Sequence, residues 1–316
     1  MPTALNSSPP VSFIDPQVLM TIKNLELRAR VVVEGFWHGL HRSPYHGFSV
    51  EFTEYRPYSS GDDPRYLDWH LVARTDRYYI KKFEDETNLR CHLLVDNSRS
   101  MTYGSRGYSK EAYANTLAAT LAYFLSHQGD AVGLLTFDEQ IREFLPARNR
   151  PGHLRHLMLA LEKPAAGSTT DLTAPLKRIV EIVRKRGLMV LISDLLAPVE
   201  TLEANLAVLT SSGHEVIVFQ VFDPAEVEFD FAKASQFYDI ESGRELYIEP
   251  DVARREYLKK LDAHSAAVRS ACQHLGVAHQ RLVTSQPLEL ALFDFLRARM
   301  QRGKTIKRAT PGRGLG

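Results

Sequence analysis

The spacing of hydrophobic residues along the chain changes at about residue 90. From there on, short runs of consecutive apolar residues alternate with longer segments in which apolar residues recur at helical spacing. The apolar runs that predict strands are CHLLVD, AVGLLTFD, GLMVLISD, HEVIVFQVFD and VAHQRLV, and QIREFL is predicted to form a hairpin with the second of them. The segments that predict helices are 109–127, 154–161, 172–185, 199–210, 252–275 and 287–300. Buried strands that alternate with helices are typical of a doubly wound, mostly parallel α/β sheet.

The residues before this region follow a different pattern. A short helix is predicted at 16–35, and the chain then alternates apolar and polar residues between turns, which predicts a small β extension. The resulting domain organisation is a tail and helix at 1–45, a β-rich segment packed on the main domain at 46–88, the main domain at 89–300 and a basic flexible tail at 301–316.

Composition and charge exclude several classes of protein. The chain has 316 residues, of which 44% are hydrophobic and 24% charged, as in ordinary globular proteins. Its 39 basic and 38 acidic residues give a net charge of +1, so no overall field attracts nucleic acid. The two cysteines, Cys91 and Cys272, provide neither a disulfide framework nor a thiolate zinc site. Because no apolar run is long enough to span a bilayer and no leader precedes the first helix, we expect a cytoplasmic protein.

Oxygen-bearing side chains follow the predicted strands at three places. Residues 96–100 read Asp-Asn-Ser-Arg-Ser directly after the first strand, residues 167–171 precede a helix, and residues 192–194 end the next strand. A doubly wound sheet binds ligands beyond the carboxyl ends of its strands, so the three loops should share one crevice. Carboxylate and hydroxyl oxygens are hard ligands of the kind that Mg²⁺ prefers. The first loop taken alone fits a capped helix start equally well.

Together the three loops resemble the metal-ion-dependent adhesion site of von Willebrand factor A domains, which uses D-x-S-x-S, a Thr and an Asp in this order. The resemblance implies five ligands of a divalent ion: Asp96, Ser98, Ser100, Thr170 and Asp194. The implied ion is Mg²⁺, with Mn²⁺ or Ca²⁺ as alternatives, and an acidic side chain of a partner protein would complete its coordination. Because Ser168 replaces a glycine of the usual pattern and an extra threonine is present, Thr169 is an alternative to Thr170.

A second motif lies ahead of the main domain. The string EYRPYSSGDDPRYLDW at 54–69, followed by AR at 73–74 and IKKFE at 80–84, is similar to the signature of the bacterial domain-of-unknown-function-58 family. The resemblance implies a chain that acts with a MoxR-type AAA+ ATPase in chaperone-like assembly or maturation of other proteins. Many members carry transmembrane helices ahead of the signature, and no such segment is present in this sequence.

Three functions fit these features. The first is a non-enzymatic, metal-dependent interaction module without a nucleic-acid partner or a membrane span. The alternative is a Mg²⁺-dependent phosphohydrolase, because a metal at the end of a parallel strand serves phosphoryl transfer equally well. That reading lacks an evident nucleophile and a basic residue fixed to hold phosphate, although Arg99 is a candidate. The third is a structural scaffold whose crevice binds nothing.

Overall fold

The computed structural model describes residues 13–42, 54–57, 79–82, 89–164, 173–229, 235–238, 245–248 and 250–309. Contacts divide the chain into two compact units, one formed by residues 40–88 and the other by the segments on either side of them. In the smaller unit, strands β1 (Glu54–Pro57) and β2 (Tyr79–Lys82) pair in antiparallel fashion, with Glu54 opposite Lys82. The rest of the signature motif between these strands lies outside the described residues.

The larger unit alternates strands and helices in the predicted order. Its strands are β3 (Arg90–Asp96), β4 (Ala131–Phe137), β5 (Ile141–Arg148), β6 (Leu188–Ser193), β7 (Glu215–Phe222), β8 (Ser235–Tyr238), β9 (Glu245–Ile248) and β10 (Ala278–Val283). Its described helices are α1 (Pro16–Met20), α2 (Leu25–Arg42), α3 (Lys110–His127), α4 (His153–Leu161), α5 (Thr173–Ile182), α6 (Val199–Ser211), α7 (Pro224–Glu228), α8 (Pro250–His274) and α9 (Leu288–Ala309). A 3₁₀ turn, Arg99–Thr102, lies between β3 and α3.

Six of the described strands form the main sheet, in the order β10-β7-β6-β3-β4-β5. Every neighbouring pair is parallel except β4 and β5, which form the predicted antiparallel hairpin at one edge. The fold is therefore the predicted doubly wound, mostly parallel α/β class of von Willebrand factor A-like or Rossmann-like type. The chain order reverses between β3 and β6, so the crevice expected of such a sheet lies beyond the carboxyl ends of these two strands.

The central strands of the sheet contribute much of the hydrophobic core. Each residue of β4 and β6 is buried, and β3 is buried from Cys91 to Asp96. Such continuous burial explains why these strands read as uninterrupted apolar runs instead of alternating patterns. Strand β5 is only partly buried, because it lies at the edge of the sheet.

The helix predicted at 16–35 is in fact two helices. Asp15 accepts a hydrogen bond from the Gln17 amide at the start of α1, and Asn24 accepts one from the Leu27 amide at the start of α2. These two N-caps begin separate helices where periodicity alone indicated a single one. Gly35 does not end α2, and a Cβ at this position would lie 3.3 Å from the Glu289 Oε1 atom, so the glycine allows a close approach between α2 and α9.

One helix end and one additional helix also differ from the prediction. Helix α9 continues to Ala309, so residues 301–309 of the predicted flexible tail are helical. Helix α7 was not predicted, although Asp223 and Glu226 form a capping box around Pro224. That combination is a helix-start signal, but it was missed because the helix is too short to show a period.

Helix α2 belongs to the core of the larger unit. Phe36 is fully buried, and its ring centroid lies 6.1 Å from that of Phe124 in α3 and 4.7 Å from that of Phe293 in α9, both in edge-on geometry. The Arg28 Nη1 atom donates to the Thr116 hydroxyl of α3 at 2.9 Å. Among the described residues, no helix is both long enough and apolar enough to cross a membrane.

Two buried histidines predict that the protein loses stability in acid. Burial lowers the pKa of both His92 and His279 to about 4, with neighbouring positive charges adding to the effect. Because the native pKa lies below the unfolded value of about 6.5, this stability is present above about pH 6.5 and declines as the pH falls toward about 4. We expect the free energy of unfolding from urea titrations to fall by about 1–2 kcal/mol per histidine between about pH 7 and about pH 5.

The variant His92→Gln should show a shallower pH dependence, whereas His127→Gln, at an exposed position on α3, should behave as wild type. Equal slopes for all three proteins would contradict the prediction.

Candidate metal site at the carboxyl ends of the strands

Asp96 is the last residue of β3, and its side chain is fully buried. Its Oδ1 atom accepts a hydrogen bond from the Ser98 amide at 2.8 Å, and its Oδ2 atom accepts one from the Ser193 hydroxyl at 2.5 Å. Ser193 ends β6, the neighbour of β3 in the sheet, so the ends of the two strands are joined through this carboxylate.

Two serine hydroxyls lie together in the loop that follows. Ser98 is fully buried, Ser100 is half-buried, and their Oγ atoms are 3.1 Å apart. Ser98 precedes the 3₁₀ turn, but within the described part of the chain its hydroxyl makes no capping hydrogen bond to that turn. The cap of α3 is instead Ser109, which accepts from the Ala112 amide at 3.1 Å. A helix cap therefore does not account for Ser98 and Ser100.

Asp194 follows β6 directly and is also fully buried. The next residue, Leu195, has φ = 55°, a left-handed conformation that costs energy for a residue with a branched apolar side chain. The Ser193 hydroxyl accepts a hydrogen bond from the Leu195 amide at 3.0 Å, and the Leu195 carbonyl lies 2.9 Å from the His264 Nε2 atom of α8. These contacts hold the loop in the conformation that keeps Asp194 at the strand end.

Lys110, the first residue of α3, reaches into the same crevice and was missed by sequence reasoning. Its side chain is fully buried, and its Nζ atom donates to Asp194 Oδ2 at 2.9 Å and to Glu226 Oε1 at 2.7 Å. Burial alone would lower the pKa of Lys110, but the charges of Asp194 and Glu226 outweigh it and raise the pKa to about 12. Lys110 is therefore an ammonium ion. The sequence gives no sign of this pairing, because the two partners of Lys110 lie 84 and 116 positions away along the chain.

The electrostatics of the two aspartates differ. Burial raises the pKa of Asp96 above its usual range, and the charge of Asp194 raises it further, while hydrogen bonds from Ser193 and Ser98 partly oppose the rise. Asp194 has the ammonium of Lys110 beside it, whereas no ion pair to Asp96 is found among the described residues. Burial therefore favours the neutral form of Asp96, and a cation bound beside it would favour the carboxylate.

The residues that the structure describes fit a divalent cation of the predicted kind. Asp96, Ser98 and Asp194 are buried at adjacent strand ends, and the Ser100 hydroxyl lies beside that of Ser98. In the described ranges, no three His, Cys, Asp or Glu side chains form a group that could hold a metal. A cation here would therefore need hydroxyl oxygens in addition to carboxylates, as Mg²⁺ accepts. Thr170 and its alternative Thr169 lie outside the described residues, and the roles of all five predicted ligands stay predictions.

The sequence matches the family described as "Protein of unknown function DUF58" over residues 54–267. The chain belongs to the DUF58 family. Uncharacterised proteins of Mycobacterium tuberculosis and Mycobacterium bovis are each 29% identical to this DUF58 chain over 291 residues, which is 90% of this chain and 90% of each relative.

Solved structures similar to this DUF58 chain share little sequence with it. An aerotolerance-related membrane protein from Bacteroides fragilis is 16% identical, with a TM-score of 0.44 over 64% of this chain and 96% of that one. The conserved hypothetical protein BatB from Bacteroides thetaiotaomicron is 15% identical, with a TM-score of 0.42 over 67% and 99% of the two chains. The VWA domain of SpRpn10 is 12% identical, with a TM-score of 0.36 over 64% and 92%.

The ion pair of this DUF58 chain predicts unequal effects of two substitutions at the site. Asp194→Ala removes one carboxylate from the buried Lys110, so the free energy of unfolding in metal-free buffer should fall by about 2–4 kcal/mol. Ser100→Ala removes a half-buried hydroxyl whose hydrogen bond among the described residues is to Ser98, so the free energy of unfolding should fall by less than about 1 kcal/mol. Urea denaturation with chelator present measures both. Equal stabilities of the two variants would contradict the buried pair.

Proposed function

We propose that this DUF58 chain is a metal-ion-dependent protein–protein interaction module. The proposed ligands are Asp96, Ser98, Ser100, Thr170 and Asp194. The observation that carries the proposal is a buried carboxylate, Asp96, at the reversal point of the sheet, followed in the next loop by two serine hydroxyls that lie 3.1 Å apart. Mg²⁺ is the expected ion, with Mn²⁺ or Ca²⁺ as alternatives, because the donors are hard oxygens. A bound ion would supply an open coordination position for an acidic side chain of a partner.

The chain's own residues keep this donor set in place. The Ser98 amide and the Ser193 hydroxyl fix both carboxylate oxygens of Asp96. Lys110 fixes one oxygen of Asp194, and the Leu196 amide donates to the other at 3.3 Å. Preorganised ligands reduce the entropy lost when an ion and a partner bind.

The proposed partner is a MoxR-type AAA+ ATPase, with which the chain would act in the assembly or maturation of other proteins. This assignment is supported by membership of the DUF58 family, whose signature implied such a partner. The acidic contact is the chemical part of the proposal, because an ion with incomplete protein coordination favours a further carboxylate.

A Mg²⁺-dependent phosphohydrolase remains the second candidate, and one contact argues against it. Besides its metal, such an enzyme needs a basic side chain that holds phosphate. Lys110, which lies in the crevice, is committed to two carboxylates, and Arg99 is exposed. We therefore propose that the chain makes and breaks no bond. Purified protein incubated with Mg²⁺ and either p-nitrophenyl phosphate or ATP should release phosphate no faster than the variant Asp96→Ala. Faster release by wild type would favour the enzyme.

Metal binding is tested by titrating Mg²⁺ or Mn²⁺ calorimetrically into the full chain. Ser100→Ala should weaken binding by about tenfold or more, since even a residue that only positions a metal ligand costs about tenfold when it is lost. Thr102→Ala is the matched control, because its exposed hydroxyl lies in the same turn and donates to the Arg99 carbonyl. A wild-type chain that takes up no divalent ion, or two variants with equal affinity, would contradict the proposed site. Capture of a MoxR-type ATPase from lysate should then be lost with chelator and with Ser100→Ala.

A further inference from the structure

Lys110 gives the candidate metal site a cation of its own. Its ammonium lies between Asp194, at the end of β6, and Glu226, on the helix that follows β7. The Lys110 and Asp194 side chains are fully buried, and that of Glu226 is 15% exposed. Water therefore screens these charges little, and each acts strongly on its neighbours.

Glu226 is held in place by a second contact. Its Oε2 atom accepts a hydrogen bond from the Asp223 amide at 2.7 Å, as part of the capping box of α7. Asp223 is itself fixed, because its carboxylate accepts hydrogen bonds from the amide and the hydroxyl of Ser105 at 2.9 and 2.5 Å. The fold, and not a bound ion, therefore sets the position of Glu226 and its electrostatic attraction for Lys110.

We propose that Lys110 competes with the divalent ion for Asp194, and that Glu226 limits this competition by sharing the ammonium of Lys110. This inference rests on the proposed function and concerns the same site. A divalent ion beside Asp194 would be repelled by the ammonium that shares this carboxylate. Because Lys110 cancels part of the negative charge that the ion meets, the bound ion keeps more positive charge, which favours an acidic partner.

The geometry of the ion pair supports this arrangement, since the Lys110 Nζ atom lies 2.9 Å from Asp194 and 2.7 Å from Glu226. The contrast with Asp96 also supports it, because no ion pair to that carboxylate is found within the described segments. The two aspartates would therefore serve the ion unequally, because only the carboxylate of Asp194 shares its charge with Lys110.

The test is a Mn²⁺ titration of the full chain and three variants by calorimetry. Lys110→Met keeps an unbranched side chain and removes the charge, so Mn²⁺ should bind at least about tenfold more tightly than to wild type. Glu226→Gln leaves more of the Lys110 charge on Asp194, so Mn²⁺ should bind about threefold or more weakly. Lys163→Met is the matched control, because Lys163 pairs with Glu143 at a solvent-exposed position. The Mn²⁺ affinity of this variant should equal that of wild type.

The outcomes separate this inference from the proposed function. Equal affinities of wild type, Lys110→Met and Glu226→Gln would overturn the role of Lys110 and leave the metal site standing. Binding by Lys110→Met but not by wild type would support the competition and overturn metal binding by the native chain. Absence of binding by both would overturn both. If Lys110→Met does not fold, as judged by circular dichroism, Glu226→Gln decides alone, and an unchanged Mn²⁺ affinity overturns the inference.

Discussion

Two carboxylates buried at the ends of adjacent parallel strands are the constraint on which this structure depends. Asp96 and Asp194 both have no exposed surface, and isolated buried charges are costly unless they are paired and hydrogen-bonded. The surrounding structure satisfies this requirement in two ways. Ser98 and Ser193 donate to Asp96, and Lys110 forms an ion pair with Asp194. The left-handed Leu195 and the buried lysine both follow from keeping these carboxylates where they are.

The doubly wound sheet makes such a concentration of charge tolerable. Strands β3, β4 and β6 are buried along nearly their whole length. The burial of their apolar side chains stabilises the fold and offsets the cost of the buried polar site. Because β3 and β6 are neighbours and their connections leave in opposite directions, the topology favours a crevice at their carboxyl ends. The site therefore lies where the topology leaves an opening.

The sequence allowed the fold to be predicted because its strongest signals are local. Continuous apolar runs indicated β3, β4, β6 and β7, and Ser109 marked the start of α3 within one residue. The partners of Lys110 could not be predicted, because they lie 84 and 116 positions away and a helix-start lysine is usually solvated. The break between α1 and α2 was missed because the period continued across it, although Asn24 carried the capping signal. Thr170 lies outside the described residues, so the choice between it and Thr169 stays a prediction.

The most direct test of the account is a crystal structure grown with Mn²⁺, in which anomalous scattering locates the ion independently of any assumed ligand. The account predicts one peak at the carboxyl ends of β3 and β6, within coordination distance of the Ser98 and Ser100 hydroxyls, with Thr170 or Thr169 on the same ion. A map without a peak at these strand ends, or with Asp96 and Asp194 too far apart to share one ion, would contradict it.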